Sequence, residues 1–124
     1  MTTELNVLGG PLQQCGLDPL TGYLRNGCCN TGPDDPRSHT VCAIVTKEFI
    51  EFQNSVNNDL STPKPDLRFP GLVPGNHWCV IAAKWFEAYQ HGVACPVVLA
   101  ATNKAALEFV PLEALLAHAI DKPT

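Results

Sequence analysis

At 124 residues, 45% apolar and 16% charged, the chain has the size and composition of one compact soluble domain, long enough to bury about two-thirds of the surface its unfolded form exposes. Eight basic residues against twelve acidic ones leave a net charge of −4, which repels a phosphate backbone and excludes a basic nucleic-acid module. No apolar run is long enough for a membrane span, and no short period marks a fibrous rod.

The chain opens in turn chemistry. Between positions 8 and 40 Gly9-Gly10-Pro11, Asp18-Pro19, Thr21-Gly22, Asn26-Gly27, Thr31-Gly32-Pro33 and Asp35-Pro36 recur every few residues, leaving no room for a helix. Asn26-Gly27 suits a tight hairpin turn, with Tyr23-Leu24 and Cys28-Cys29 as strand stubs. Residues 40–45, rich in β-branched side chains, read as a mostly buried strand. Thr46 then caps a helix that places Phe49, Phe52 and Val56 on one face, and Asn57-Asn58 stops it. Four prolines between 61 and 75 make that stretch a second extended loop.

A central helix is expected from Asn76, because Trp78, Ile81, Ala82, Trp85 and Tyr89 follow a 3.6-residue stripe and Gly92 suits its C-terminal cap. Residues 97–101 are uniformly apolar and read as a strand buried on both faces, and 107–110 as another. Pro111 opens a last amphipathic helix carrying Leu112, Leu115, Leu116 and Ala119, closed by Pro123. The expected architecture is α+β: one small domain over 1–124, with a few short strands, about three helices and long ordered loops.

The first residues combine no basic segment with an apolar stretch, which reads as no secretory leader and a cytoplasmic location, where thiols stay reduced. Six cysteines are about 5% of the chain, under the roughly 8–10% of a disulfide scaffold. Cys79, near the start of the expected helix, is the sharpest nucleophile candidate, since unpaired amides and the helix dipole favour its thiolate; the bland alternative is a small buried hydrophobe beside Trp78. Cys28, Cys29, His39 and Cys42 have the donor types of a zinc site, yet no C-x-x-C pair, and His39 and Cys42 sit on opposite sides of an extended strand. Zinc or another transition metal is therefore admitted but not favoured, and buried thiols packing under turns account for the same residues. A third reading sets Cys79 beside Cys28 or Cys29, with His39 or His77 as base and Asp34 or Asp35 orienting it. No nucleotide-binding glycine motif is present.

Taken together, the segments 6–12, 18–23, 27–33 and 38–43, then Asn58-Asp59-Leu60-Ser61-Thr62-Pro63, Phe69-Pro70-Gly71-Leu72, Trp78-Cys79 and Pro96-Val97-Val98-Leu99, resemble the domain of unknown function 2237 family over nearly the whole chain. The resemblance implies a small soluble protein of mostly bacterial distribution and assigns no reaction. The leading expectation is that loops 18–42 and 58–75 meet over the start of the helix at Asn76 and enclose a polar, thiol-lined pocket for a small anionic or polar ligand. Cys79, Cys28 and His39 would carry any chemistry there; Cys29, Asn30, Cys42, Asp59 and Trp78 would line it. The competing expectation is a non-enzymatic interaction or structural module whose cysteines pack internally or hold a structural metal. No nucleic-acid or membrane partner is expected, and neither turnover nor oligomeric state is decided by these residues.

Overall fold

The computed structural model describes residues 4–17, 21–22, 26–33, 35, 37–67 and 69–121. Three α-helices and a two-stranded antiparallel sheet make a small α+β domain: β1 (His39–Ile44), α1 (Lys47–Ser55), β2 (His77–Ile81), α2 (Ala82–Gln90) and α3 (Leu112–His118), with short 3-10 turns at Pro65–Leu67, Leu99–Ala101 and Lys104–Glu108.

Helix α1 forms as its sequence dictates. The Thr46 hydroxyl accepts a hydrogen bond from the Phe49 amide, Phe49 and Ile50 face inward, and Asn57 leaves the helix at φ +65°. Its last turn is tied down by Gln53, fully buried, which donates to the Lys84 carbonyl at 2.9 Å and accepts from Asn58 at 3.1 Å. That satisfies a polar side chain the core could not otherwise hold.

The helix expected from Asn76 begins six residues later. Residues 77–81 are a strand instead, paired with β1 so that Val41 meets Val80, Cys42 meets Cys79 and Ala43 meets Trp78. The spacing of Trp78 and Trp85 satisfies a helix, but an aromatic and β-branched run beside an available strand gains more from the ladder. Asn76 is spent elsewhere: its side chain accepts from the Val73 amide and its carbonyl from the Val45 amide. Helix α2 starts at Ala82 with no side-chain cap; the Ala82 amide donates to the Ser38 carbonyl.

Two further expected strands are absent among the described residues. Val97 makes only isolated bridges, to Ala43 and Ala119, because the chain then turns into the 3-10 segment Leu99–Ala101, whose amides at 99 and 100 donate to the Asp121 carboxylate at 2.7 and 2.9 Å. Residues 107 and 108 are themselves the end of a second such turn, Lys104–Glu108, capped by the Asn103 side chain on the Ala105 amide, and Phe109 and Val110 follow it. The hairpin expected at Asn26-Gly27 includes positions 23–25, outside the described residues.

Pleating sends alternate residues of the ladder to opposite faces. Val41, Ala43, Trp78 and Val80 join the main core with Phe49, Trp85, Leu99 and Leu115. Cys42 and Cys79 turn the other way into a separate cluster with Cys15, Cys29 and Ala101. Trp85 is fully buried at the centre, its indole N–H donating to the Cys95 carbonyl at 3.1 Å.

Candidate functional site

A cavity of about 210 Å³ opens on the main-core face of β2. Trp78, Val80, Phe69 and Leu60 supply its apolar surface, with the Phe69 and Trp78 rings edge to face at 5.2 Å. Arg37, His39, Asn58, Asp59 and Lys64 supply its polar groups.

Local sequence explains how the rim is held. Asp35, its side chain 1% exposed, accepts from the His39 ring Nδ1 at 2.6 Å, from the His39 amide at 2.9 Å and from the Thr31 hydroxyl at 3.1 Å. A carboxylate can only accept here, so the Nδ1 proton and the orientation of the ring are fixed. Ser38, at φ +57°, makes the sharp turn that brings Asp35 under His39.

The opposite wall is the 58–72 loop. Asp59 folds it by accepting from the Ser61 amide and hydroxyl and the Thr62 amide. The Thr62 side chain first, then the Ser61 and Thr62 amides, lower its pKa by hydrogen bonding, from 3.8 to about 2. Lys64 and Phe69 exchange two backbone hydrogen bonds of 2.7 and 3.1 Å, which aims both side chains at the cavity. Gly71 closes the loop at φ +83°, where a Cβ would lie 2.5 Å from the Ser61 carbonyl oxygen; only glycine meets both demands.

On the reverse face lie the sulfurs of Cys15, Cys29, Cys42 and Cys79. Disulfides join Cys15 to Cys42 and Cys29 to Cys79, whereas Cys28 and Cys95 are unpaired. Burial pushes the Cys95 thiol up to about 12, so it is inert. The His77 ring donates from Nδ1 to the Cys15 carbonyl at 3.0 Å.

The family model described as "Uncharacterized protein conserved in bacteria (DUF2237)" matches residues 5–119, a span that includes both faces of the sheet. The chain belongs to the DUF2237 family. No curated protein matches it.

Several expectations are corrected in the DUF2237 domain. The loops do meet over β2, but the cavity they form contains no cysteine: the strand pleat sends Cys79 away from it. Cys79 is no helix-start thiolate; it is 1% exposed, disulfide-bonded, and its amide donates to the Thr21 hydroxyl at 2.8 Å. Cys29 and Cys42, both fully buried, are likewise paired rather than free. Cys28 is half-buried and lies outside the cavity lining. Asn30 is a loop brace, donating to Glu4 and accepting from Asn26. The set Cys28, Cys29, His39 and Cys42 is not brought together, since His39 faces the cavity and the sulfurs of Cys29 and Cys42 do not.

His39, Asp59 and Trp78 do line one cavity. Of the two carboxylates considered as partners for His39, Asp35 is bonded to it, and Asp34 lies outside the described residues. Nothing in the sequence marks Arg37 or Lys64 as site residues, because isolated loop charges carry no pattern, and Asn58 and Phe69 stand out there only as parts of the family-like segments. Cys15 has a single signal in the sequence, the even cysteine count.

Proposed function

We propose that the DUF2237 domain binds a small polar or anionic ligand in the cavity over β2. The observation that carries this reading is the convergence of Arg37, Lys64 and His39 on one opening whose floor is Trp78 and Phe69. Two cations, an oriented imidazole and the Asn58 amide recognise a carboxylate or phosphate, while the aromatic floor takes an apolar or planar portion. The cavity size suits a metabolite fragment rather than a polymer, and the net charge of −4 disfavours nucleic acid. No helix of the described residues is long and apolar enough to cross a membrane. A cytoplasmic location belongs to the same proposal. It is supported by the half-buried, unpaired Cys28, and it requires the Cys15–Cys42 and Cys29–Cys79 crosslinks to persist against a reducing thiol pool.

A second reading, a non-enzymatic structural module, is favoured by the burial of four cysteines in two crosslinks. Titration separates the two. Inorganic phosphate, acetate and malonate are added to the wild-type protein while tryptophan emission is followed; Trp78 borders the cavity and Trp85 is sealed in the core. Saturable change with one anion, weakened about tenfold or more in Lys64→Ala and Arg37→Ala, is expected. Equal response of wild type and both variants would refute the proposal.

A further inference from the structure

The sulfur cluster has a second arrangement available to it. The Sγ atoms of Cys15, Cys29 and Cys79 all lie within 4.8 Å of one another, and those of Cys15 and Cys42 lie within the same limit of a His77 ring nitrogen. Cys15 belongs to both groups. In a tetrahedral zinc thiolate, with metal–sulfur bonds of about 2.3 Å, the sulfurs sit about 3.8 Å apart. Cys15, Cys29 and Cys79 are therefore already on the scale of one metal ion, and Cys42 is carried beside them by its bond to Cys15. We propose that the reduced domain binds one zinc ion through Cys15, Cys29, Cys42 and Cys79, on the face of β2 opposite the cavity.

The donors are mounted as such a site requires. Cys42 and Cys79 are cross-strand partners, so the ladder fixes two ligands on the sheet. Cys15 and Cys29 come from loops: the Cys15 amide is anchored on the Gly27 carbonyl, and the Cys29 carbonyl accepts from the Asn103 side chain. The four cysteines are between 0% and 6% exposed, so a metal there is shielded from water. Soft thiolates select zinc over hard cations such as magnesium or calcium. His77, braced through Nδ1 by the Cys15 carbonyl, is the polar neighbour that such sites use to orient their ligands.

The chemistry balances with a dithiol reductant. Each of two dithiol molecules gives two electrons and two protons to one S–S bond, which breaks to two cysteine thiols as the dithiol closes to its own disulfide. The four thiols then release four protons as four S–Zn bonds form, and the zinc keeps its charge. Crosslink and metal are alternative occupants of the same sulfurs.

The test uses the full chain reduced with a dithiol, freed of excess reductant without air, and titrated with zinc or cobalt(II) alone. One ion per chain is expected, with the visible spectrum of tetrahedral cobalt thiolate and about four protons released per zinc. Alkylation of the zinc-loaded wild type, mapped by mass spectrometry, should spare Cys15, Cys29, Cys42 and Cys79 and modify Cys28. Cys28→Ser and Cys95→Ser should keep the stoichiometry. Loss of an outer-shell partner weakens metal binding about 10–100-fold, so Cys79→Ser should weaken it at least that much. If reduction unfolds the chain, zinc should refold it. Failure of the reduced chain to take up zinc, equal uptake by the oxidised protein, or a protected set that includes Cys28 would overturn the proposal. None of these readouts involves Arg37, Lys64 or anion binding, so either proposal can fail alone.

Discussion

Cys42 and Cys79 stand opposite each other across the ladder of β1 and β2, yet each is bonded to a loop cysteine rather than to its neighbour. The two disulfides therefore staple both N-terminal loops onto one side of the sheet, with interleaved spans of 27 and 50 residues. Loop-closure entropy assigns such crosslinks about 3–4 kcal/mol each in the denatured chain. Urea unfolding of Cys15→Ser and Cys29→Ser, without metal, should show losses of that order. Because the closed loops overlap, the double variant should lose less than the sum. Additive losses would mean the two staples constrain separate parts of the unfolded chain.

Asp35 anchors the other side of the site. Asp35→Ala strands the Thr31 hydroxyl and the His39 amide, and should cost about 1–3 kcal/mol. Nitrogen chemical shifts of the His39 ring should change from one dominant tautomer to a mixture. An unchanged ring would show that Asp35 serves the loop and not the imidazole.

The pH dependence has two arms. Asp59, with its pKa lowered from 3.8 to about 2, binds protons more readily when unfolded. Its stabilisation is present above the unfolded value and is lost as pH falls toward about 2. Asp59→Asn should flatten the acid limb of the stability curve between those values. Cys95, raised from 9.0 to about 12, keeps its proton longer when folded, so stability should fall as pH rises through that interval, and Cys95→Ala should remove the slope. Native-state alkylation should label Cys28 well before Cys95.

Gly71→Ala tests the loop that carries Lys64 and Phe69. The left-handed backbone and the close Ser61 carbonyl make the change cost about 1–3 kcal/mol. Anion response at Trp78 should weaken in parallel. A loop that absorbs alanine with no loss in either measurement would show that its closure is not needed for the cavity.

How far the sequence carried this description depends on the range of the forces involved. Helix α1 was readable because Thr46 encodes its cap and Phe49, with the half-buried Phe52, its inward side locally. The Trp78 strand was not: its spacing to Trp85 fits a helix, and only pairing with β1, more than thirty positions away, decides otherwise. The site divides the same way. His39 is marked by its residue type, Asp59 by the family-like loop segment and Trp78 by its place at the start of the expected helix, whereas Arg37 and Lys64 resemble any solvated charge until the chain folds. Cysteine pairing is tertiary by nature, and six cysteines in a row of letters do not reveal which sulfurs meet.

Strand β2 acts as a partition. Its residues 78 and 80 side with the cavity and the main core, and residue 79 sides with the sulfur cluster. Substitutions at 78 and 80 can thus retune what the hollow accepts while the crosslinks behind it stay intact, and one short segment lets two kinds of selection act on neighbouring positions independently.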